Sequence, residues 1–103
     1  MMIQHTVCFT LVHPTGSDAE RDFLTTAAAV LPNVPGVTGF RIARQVGSQS
    51  DLRWQFSMDF PDSATYAAYD AHPDHRGFVE SRWIAEVSSF TEFDFEPYDG
   101  AAA

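Results

Sequence analysis

The chain begins with a segment in which apolar and polar residues alternate. Between residues 3 and 12, one face of the expected strand carries Ile3, His5, Val7, Phe9 and Leu11. The opposite face carries the polar or small side chains of Gln4, Thr6, Cys8 and Thr10. A period of two with β-branched and aromatic residues is typical of a half-buried strand. We therefore predict a first strand whose odd-numbered residues face a core.

A helical periodicity follows this strand. Ser17 and Glu20 have the spacing of a capping box, in which the Ser17 hydroxyl accepts from the Glu20 amide and the carboxylate reaches back to the Ser17 amide. Apolar residues then recur every four positions on one face, at Phe23, Ala27 and Leu31. Pro32 cannot continue a helix, so the pattern predicts a helix that ends near residue 31.

Two further alternating segments predict a β-hairpin. Residues 37–46 and 52–60 each alternate between apolar and polar side chains, and the short segment 47–51 between them is rich in turn residues. Adjacent strands joined by so short a turn usually pair antiparallel.

The last elements are a second helical region and a final strand. Asp62 is a suitable N-cap, and Pro73 interrupts the helix but can begin a new helical turn. Alternation returns at residues 87–95. The order β-α-β-β-α-β predicts an α+β, ferredoxin-like sandwich with a four-stranded antiparallel sheet and the helices on one side. We expect one domain at residues 1–97 and a flexible tail at 98–103.

The sheet face that the helices leave open suggests a homodimer. It carries small or uncharged polar residues, namely Thr6, Cys8, Thr10, Gln55 and Ser57. A fully solvated face more often carries Lys and Glu, so we expect the sheet of a second copy to cover this one. The alternative is an ordinary solvated antiparallel sheet.

Composition and charge narrow the class of protein. The chain has 103 residues, of which 45% are hydrophobic, enough for one domain with one core. Fourteen acidic against six basic residues give a net charge of −8, which disfavours nucleic acids and anionic membranes as partners. Cys8 is the only cysteine, so no intrachain disulfide can form. With no signal-peptide pattern at the start of the sequence, we expect a cytoplasmic protein.

The densest candidate chemistry lies at residues 69–75. This segment holds two imidazoles, two carboxylates and a phenol at a proline break, where helix ends leave backbone groups free. His5 is the second candidate, because an imidazole on an apolar face needs a hydrogen-bond partner and imidazoles exchange protons near neutral pH. The spacing of His72, Asp74 and His75 does not bring three ligands to one face of a helix, so we expect no transition-metal site. The net charge of −8 leaves open a weakly held Mg²⁺ or Ca²⁺ ion on carboxylates, and we expect no cofactor.

Three segments of the sequence carry a family resemblance. They read Met2-Ile3-Gln4-His5-Thr6-Val7, Val34-Pro35-Gly36-Val37 and Tyr69-x-x-His72-Pro73-x-His75-x-x-Phe78-Val79. Together they resemble the stress-responsive dimeric α/β-barrel domain family, Dabb, over nearly the whole chain. The resemblance implies a ferredoxin-like monomer and a homodimeric α/β barrel in which two sheets face each other.

One branch of that family, the plant olivetolic acid cyclase, closes a linear polyketide by aldol chemistry. The resemblance implies that its catalytic Tyr and His correspond to Tyr69 and His75, and its strand-one His to His5. His75 would then remove a proton from a carbon flanked by carbonyls, and the Tyr69 hydroxyl would stabilise the enolate oxygen. The cyclase has a further His on strand three where this chain has Trp54, which puts the same cyclase reaction in doubt.

These observations lead to one function hypothesis and two alternatives. We expect a small hydrophobic carbonyl compound to bind between sheet and helices and to undergo cofactor-free, cyclase-like or lyase-like acid–base chemistry. The expected pocket residues are Phe23, Trp54, Phe56, Phe78 and Trp83. The alternatives are a non-enzymatic, stress-associated ligand-binding or scaffold protein and a cofactor-free monooxygenase-like enzyme. In the structural alternative, aromatic rings fill the core, His5 pairs with a carbonyl or carboxylate, His72 is a helix cap or a surface residue, and His13 is solvated.

Overall fold

The computed structural model describes residues 2–98 as one antiparallel sheet with helices on one face. The elements are β1 (Ile3–Leu11), α1 (Asp18–Val30), β2 (Thr38–Arg44), β3 (Trp54–Phe60), α2 (Ser63–Ala71), α3 (Pro73–Phe78), α4 (Ile84–Glu86) and β4 (Val87–Phe95). A 3-10 turn (Leu31–Asn33) follows α1, and a π-helical turn (Val79–Trp83) joins α3 to α4. The predicted ferredoxin-like fold is confirmed. The expected tail, apart from Tyr98, lies outside the described residues.

The strand order β2-β3-β1-β4 places β1 in the middle of the sheet. His5 of β1 lies opposite Met58 of β3 and opposite Asp94 of β4, antiparallel to both. β2 and β3 form the predicted hairpin. Because side chains alternate along a strand, the register also decides which residues of the edge strand β4 face the helices.

Helix α1 begins at a capping box with one difference from the expected pattern. The Ser17 hydroxyl accepts from the Glu20 amide at 3.2 Å, as expected. The Glu20 carboxylate accepts from the Gly16 amide at 2.9 Å rather than from that of Ser17. Its second oxygen accepts from the Trp54 indole at 3.3 Å. Glu20 is therefore buried with hydrogen-bond partners, as a buried carboxylate requires.

The break between α2 and α3 is built by His72 and Pro73. His72 has an extended backbone, as the residue before a proline prefers, and its Nδ1 accepts from the Asp74 amide at 3.1 Å. The expectation that His72 caps a helix is therefore confirmed. The turn brings the His75 ring to 4.5 Å from the Tyr69 ring, measured between centroids.

An aromatic cluster forms the larger of two core clusters. Phe9 is fully buried and meets Phe56 edge-on, with ring centroids 4.6 Å apart. Its ring also lies 4.9 Å from that of Trp83 and 5.9 Å from that of Phe23. These contacts join β1, β3, α1 and the π-helical turn, so the cluster holds the helical layer on the sheet.

A polar network ties the end of the helical region to α1. Glu86 accepts from Arg82 Nε at 2.5 Å and from His13 Nε2 at 2.6 Å. Arg82 also donates to Asp22 at 2.9 Å and to Thr26 at 3.1 Å. The expectation that His13 is solvated is therefore wrong, because the chain folds Glu86 against the loop that follows β1.

We expect Arg82→Gln to remove stability that this network adds at neutral pH. Hydrogen bonding from Arg82 holds the pKa of Glu86 below its ordinary value of 4.5. A group whose pKa falls on folding stabilises the folded state above its unfolded pKa, and this stability disappears as the pH falls through the folded pKa. Urea unfolding measured between about pH 7 and about pH 3 should show that the free energies of unfolding of the wild type and the variant converge below about pH 4.5.

The matched control for this prediction is Arg76→Gln. The guanidinium of Arg76 lies 3.7 Å from the Glu80 carboxylate, and both side chains are exposed. Exposed ion pairs of this kind contribute about 0–1 kcal/mol to the free energy of unfolding. The free energy of unfolding of this variant should therefore differ little from that of the wild type at every pH. A difference for Arg82→Gln that stays constant across the range would contradict the prediction.

Candidate functional site

A cavity of about 470 Å³ opens between the sheet and the helical region after β3. Its apolar wall consists of Leu31, Phe56, Met58, Phe78, Val79, Trp83, Ile84, Val87 and Phe90. The polar groups that line it are His5, Tyr66, Tyr69, Asp70, His75, Arg76 and Glu92. The volume of this cavity lies in the range of small-molecule sites, and its wall combines apolar side chains with convergent polar groups.

The structure brings the three expected catalytic residues to this one cavity. His5 comes from β1, Tyr69 from α2 and His75 from α3, and all three side chains line the same space. Of the five expected pocket residues, Phe56, Phe78 and Trp83 also line it. The residues with candidate chemistry and most of the expected aromatic wall are therefore neighbours in the fold.

The other two expected pocket residues lie elsewhere. Phe23 is fully buried in the aromatic cluster, where its ring centroid lies 5.5 Å from that of Phe78, and it contributes to the core rather than to the cavity wall. Trp54 begins β3, donates its indole N–H to Glu20 and lies under the Arg44 guanidinium at 5.1 Å. The expectation that Phe23 and Trp54 line the pocket is corrected, because packing against α1 and the sheet end occupies both rings.

His75 has the hydrogen bonding that a general base needs. Its Nδ1 donates to the backbone carbonyl oxygen of Asp70 at 2.9 Å. Since a carbonyl oxygen can only accept, the proton of the neutral imidazole sits on Nδ1 and leaves Nε2 with a free lone pair. This hydrogen bond to the Asp70 carbonyl fixes both the tautomer and the orientation of the His75 ring.

Tyr69 offers an unpaired donor to the cavity. Only 2% of the residue is exposed, and its hydroxyl has no hydrogen-bond partner within residues 2–98. Burial, together with the charges of Asp70 and Glu92, raises the pKa of the Tyr69 phenol well above its ordinary value. The hydroxyl therefore stays protonated at neutral pH and can donate to an acceptor atom of a ligand.

His5 is held by a carboxylate and a second phenol. Its Nδ1 donates to Asp94 Oδ1 at 2.7 Å, and the Tyr66 hydroxyl donates to the same oxygen at 2.9 Å. The Tyr66 oxygen also lies 2.9 Å from Nδ1. The expectation that His5 pairs with a carboxylate is confirmed, and with the proton on Nδ1 the Nε2 atom of the neutral ring is free.

Tyr66, Glu92 and Asp94 were not identified as site residues from the sequence. One signal was available for Tyr66, because it precedes Tyr69 by three positions and the two lie on the same face of α2. Glu92 and Asp94 lie on the helix side only because they pair with Val7 and His5 of β1. That pairing depends on the register of the edge strand.

The helical segment beside the cavity contains a widened turn. The π-helical turn spans Val79–Trp83, and both of its end residues line the cavity. Such turns are frequent at functional sites because the extra residue changes the direction of the side chains.

Within residues 2–98, no three His, Cys, Asp or Glu side chains lie close enough together to hold a metal ion. Across the same part of the chain, no helix has both the length and the apolar character that crossing a membrane requires.

The comparisons with known proteins agree on family and fold. The family model described as "Stress responsive A/B Barrel Domain" (Dabb) matches residues 3–97. A Dabb family protein with a ferredoxin-like fold from Mesorhizobium loti is 45% identical, with 94% of this chain and 97% of that chain covered and a TM-score of 0.93. No curated protein sequence matches the chain.

More distant solved structures share the fold. A dimeric ferredoxin-like protein of unknown function from Thermobifida fusca is 17% identical, with 94% and 92% of the two chains covered and a TM-score of 0.77. A hydroxynitrile lyase from Passiflora edulis is 13% identical, with 95% and 94% covered and a TM-score of 0.78. At these identities the likeness concerns the fold alone.

Proposed function

Because the chain belongs to the Dabb family of stress responsive A/B barrel domains and has its ferredoxin-like fold, we propose that it performs cofactor-free acid–base chemistry on a small hydrophobic carbonyl compound bound in the cavity. The observation that supports this most is the convergence of His75, Tyr69 and His5 on one cavity that has both an apolar wall and polar groups. A stress-associated role and a cytoplasmic location stay predictions.

The proposed reaction begins with a proton transfer. His75 Nε2 takes a proton from the carbon next to the carbonyl, and the electron pair of that C–H bond forms the enolate. The buried Tyr69 hydroxyl donates to the carbonyl oxygen as negative charge develops there. The imidazolium of His75 then exchanges its proton with solvent, and reprotonation of the enolate carbon regenerates the neutral base. His5, with its Nδ1 anchored by Asp94, provides a second imidazole at the same cavity.

A lyase reaction would use the same groups in the same roles. An imidazole would take the hydroxyl proton of the substrate, the carbonyl would form, and the adjacent carbon–carbon bond would break with its electron pair on the leaving group. The Passiflora edulis hydroxynitrile lyase shares the fold, which makes hydroxynitriles a reasonable second set of compounds to assay.

The proposed function can be tested by hydrogen–deuterium exchange of 4-phenylbutan-2-one in deuterated buffer, followed by NMR. We expect the protein to accelerate exchange next to the carbonyl, and Tyr69→Phe to slow the catalysed rate by on the order of 10²-fold, since it removes one oxyanion donor. Binding without accelerated exchange would favour the ligand-binding alternative. If the protein neither binds this ketone or an aromatic hydroxynitrile nor accelerates exchange of the ketone, the proposal is contradicted.

We also propose that the protein is a homodimer formed through the outer sheet face. Phe93 and Phe95 stack on that face with ring centroids 5.9 Å apart, yet remain 47% and 51% exposed. Exposed, contiguous apolar rings are typical of an interaction surface. The Thermobifida fusca relative is described as dimeric.

Light scattering at micromolar concentration should give twice the mass of one chain. Phe93→Glu should shift the mass toward that of a monomer, because a carboxylate would be buried without a partner in the interface. Val46→Glu is the control, since Val46 is 93% exposed and lies outside the strands. A monomeric wild type would contradict the dimer.

A further inference from the structure

We propose that the ligand of this cavity carries a positively charged amine group beside its apolar body, attracted by Glu92 and Asp70, and that the cavity disfavours carboxylates. The inference rests on the proposed function and names the charge class of the ligand: a small aminocarbonyl compound rather than a carbonyl acid.

Glu92 is the least expected residue of the cavity wall. It lies opposite Val7 in the β1–β4 ladder, and Val7 is buried in the aromatic core cluster. Glu92 is therefore on the helix side of the sheet, where it lines the cavity while remaining exposed at the edge strand. A carboxylate in this position is open to solvent and free to meet a charged group of a ligand.

Asp70 of α2 adds a second carboxylate to the cavity lining. It follows Tyr69 in α2, is exposed, and has Oδ1 4.0 Å from His75 Nδ1. The Nδ1 proton of His75 is already donated to the Asp70 backbone carbonyl. The carboxylate of Asp70 therefore has its charge largely available to the cavity.

The cationic groups at the cavity do not balance these carboxylates. Arg76 is the one lysine or arginine that lines it among the described residues, and its guanidinium lies 3.7 Å from Glu80. Behind His5, the Asp94 carboxylate adds negative charge. The Tyr69 phenol agrees with a net negative surrounding, because burial and then the charges of Asp70 and Glu92 raise its pKa above the ordinary value.

Independent evidence for a bound molecule comes from the Tyr69 hydroxyl. The Tyr69 residue is 2% exposed and lines the cavity, and its hydroxyl has no hydrogen-bond partner in the described part of the chain. A carbonyl oxygen of a ligand would supply the missing acceptor. Trp83 and Phe90, whose rings meet edge-on at 5.6 Å, offer aromatic surface that suits both an apolar body and a nearby ammonium group.

Three probes with one phenylpropyl body test the charge preference: 3-phenylpropan-1-amine, 3-phenylpropan-1-ol and 3-phenylpropanoate. Affinities would be measured by calorimetry at about pH 7 and low salt. We expect the amine to bind best and the carboxylate worst, with roughly a tenfold ratio between them, because two partly solvated carboxylates act on the ligand charge. The ratio should shrink at high salt, where surface charges are screened.

Glu92→Gln should reduce the ratio of amine to carboxylate affinity several-fold while leaving the affinity of the alcohol unchanged. Asp51→Asn is the matched control, because it removes the same charge in the β2–β3 loop, away from the cavity lining. It should leave the ratio unchanged. Equal changes in both variants would mean that overall charge, not the cavity, sets the preference, and would overturn the inference.

The outcomes separate this inference from the proposed function. Equal affinities of amine and carboxylate for the wild type, with the alcohol bound, would overturn the charge class and leave the cavity as a ligand site. Failure of all three probes to bind would overturn both, because the apolar body common to them would then have no site.

Discussion

His75→Ala is expected to lower the catalysed rate of proton exchange next to the carbonyl of 4-phenylbutan-2-one by about 10²- to 10⁴-fold. That range corresponds to about 3–5 kcal/mol of lost transition-state stabilisation. This loss is expected because a single atom, Nε2 of His75, accepts the proton. The bond from Nδ1 to the Asp70 carbonyl leaves Nε2 of the neutral ring as the proton acceptor, and alanine supplies no acceptor in its place.

The control for this variant lies three residues earlier in the same motif. His72 Nδ1 accepts from the Asp74 amide, and His72 is not among the residues that line the cavity. His72→Asn keeps a side-chain acceptor for the N-terminus of α3. This variant should therefore catalyse proton exchange of the ketone at the wild-type rate. Both variants should keep the mass of the wild type, and His75→Ala should still unfold cooperatively, at a lower temperature because the ring contact with Tyr69 is lost. A His75→Ala protein as active as the wild type would remove the assignment of His75 as base.

Phe9→Ala is expected to lower the free energy of unfolding by about 3–5 kcal/mol. Phe9 is fully buried at the centre of the aromatic cluster, with Phe56 at 4.6 Å and Trp83 at 4.9 Å between ring centroids. Alanine would leave a space that the surrounding strands and helices can only partly close. Domains of this size are stable by about 5–15 kcal/mol, so the loss would be a large fraction of the total.

Denaturant unfolding would measure this loss, with Val46→Ala as the control. Val46 is 93% exposed, and surface substitutions of this kind usually change stability by less than about 0.5 kcal/mol. A Phe9→Ala protein within that margin of the wild type would show that the aromatic cluster is not the main source of stability. Because Phe9 does not line the cavity, the residual folded protein should still bind the ketone.

The fold could be predicted because its signals are local. Alternation of apolar and polar side chains along residues 3–11 reports a half-buried strand, whatever lies beside it. The caps at Ser17 and Asp62 and the break at Pro73 also act within a few residues. Such local signals determined the order of the elements, and that order restricts a short chain to a few topologies.

The candidate site was predictable only in part, for the same reason. His5 required a partner as soon as it was placed on the apolar face, but the partner is 89 positions away, at Asp94. Tyr69 and His75 could be identified as neighbours because they lie on either side of one proline. The alternation of residues 52–60 predicts the correct face for Trp54, yet its position along the strand puts it beside Glu20 rather than the cavity.

By itself, the sequence determined the four strands and the helical regions, their order, the buried faces of β1, β2 and β3, and the need of His5 for a partner. The tertiary structure alone decided that Glu92 and Asp94 face the helices, that Glu86 meets His13, and that Phe23 belongs to the core instead of the cavity wall. The physical reason is that these contacts depend on the register of an edge strand and on the packing between layers. A period of two or of 3.6 specifies which face is buried, but it does not specify what that face will meet.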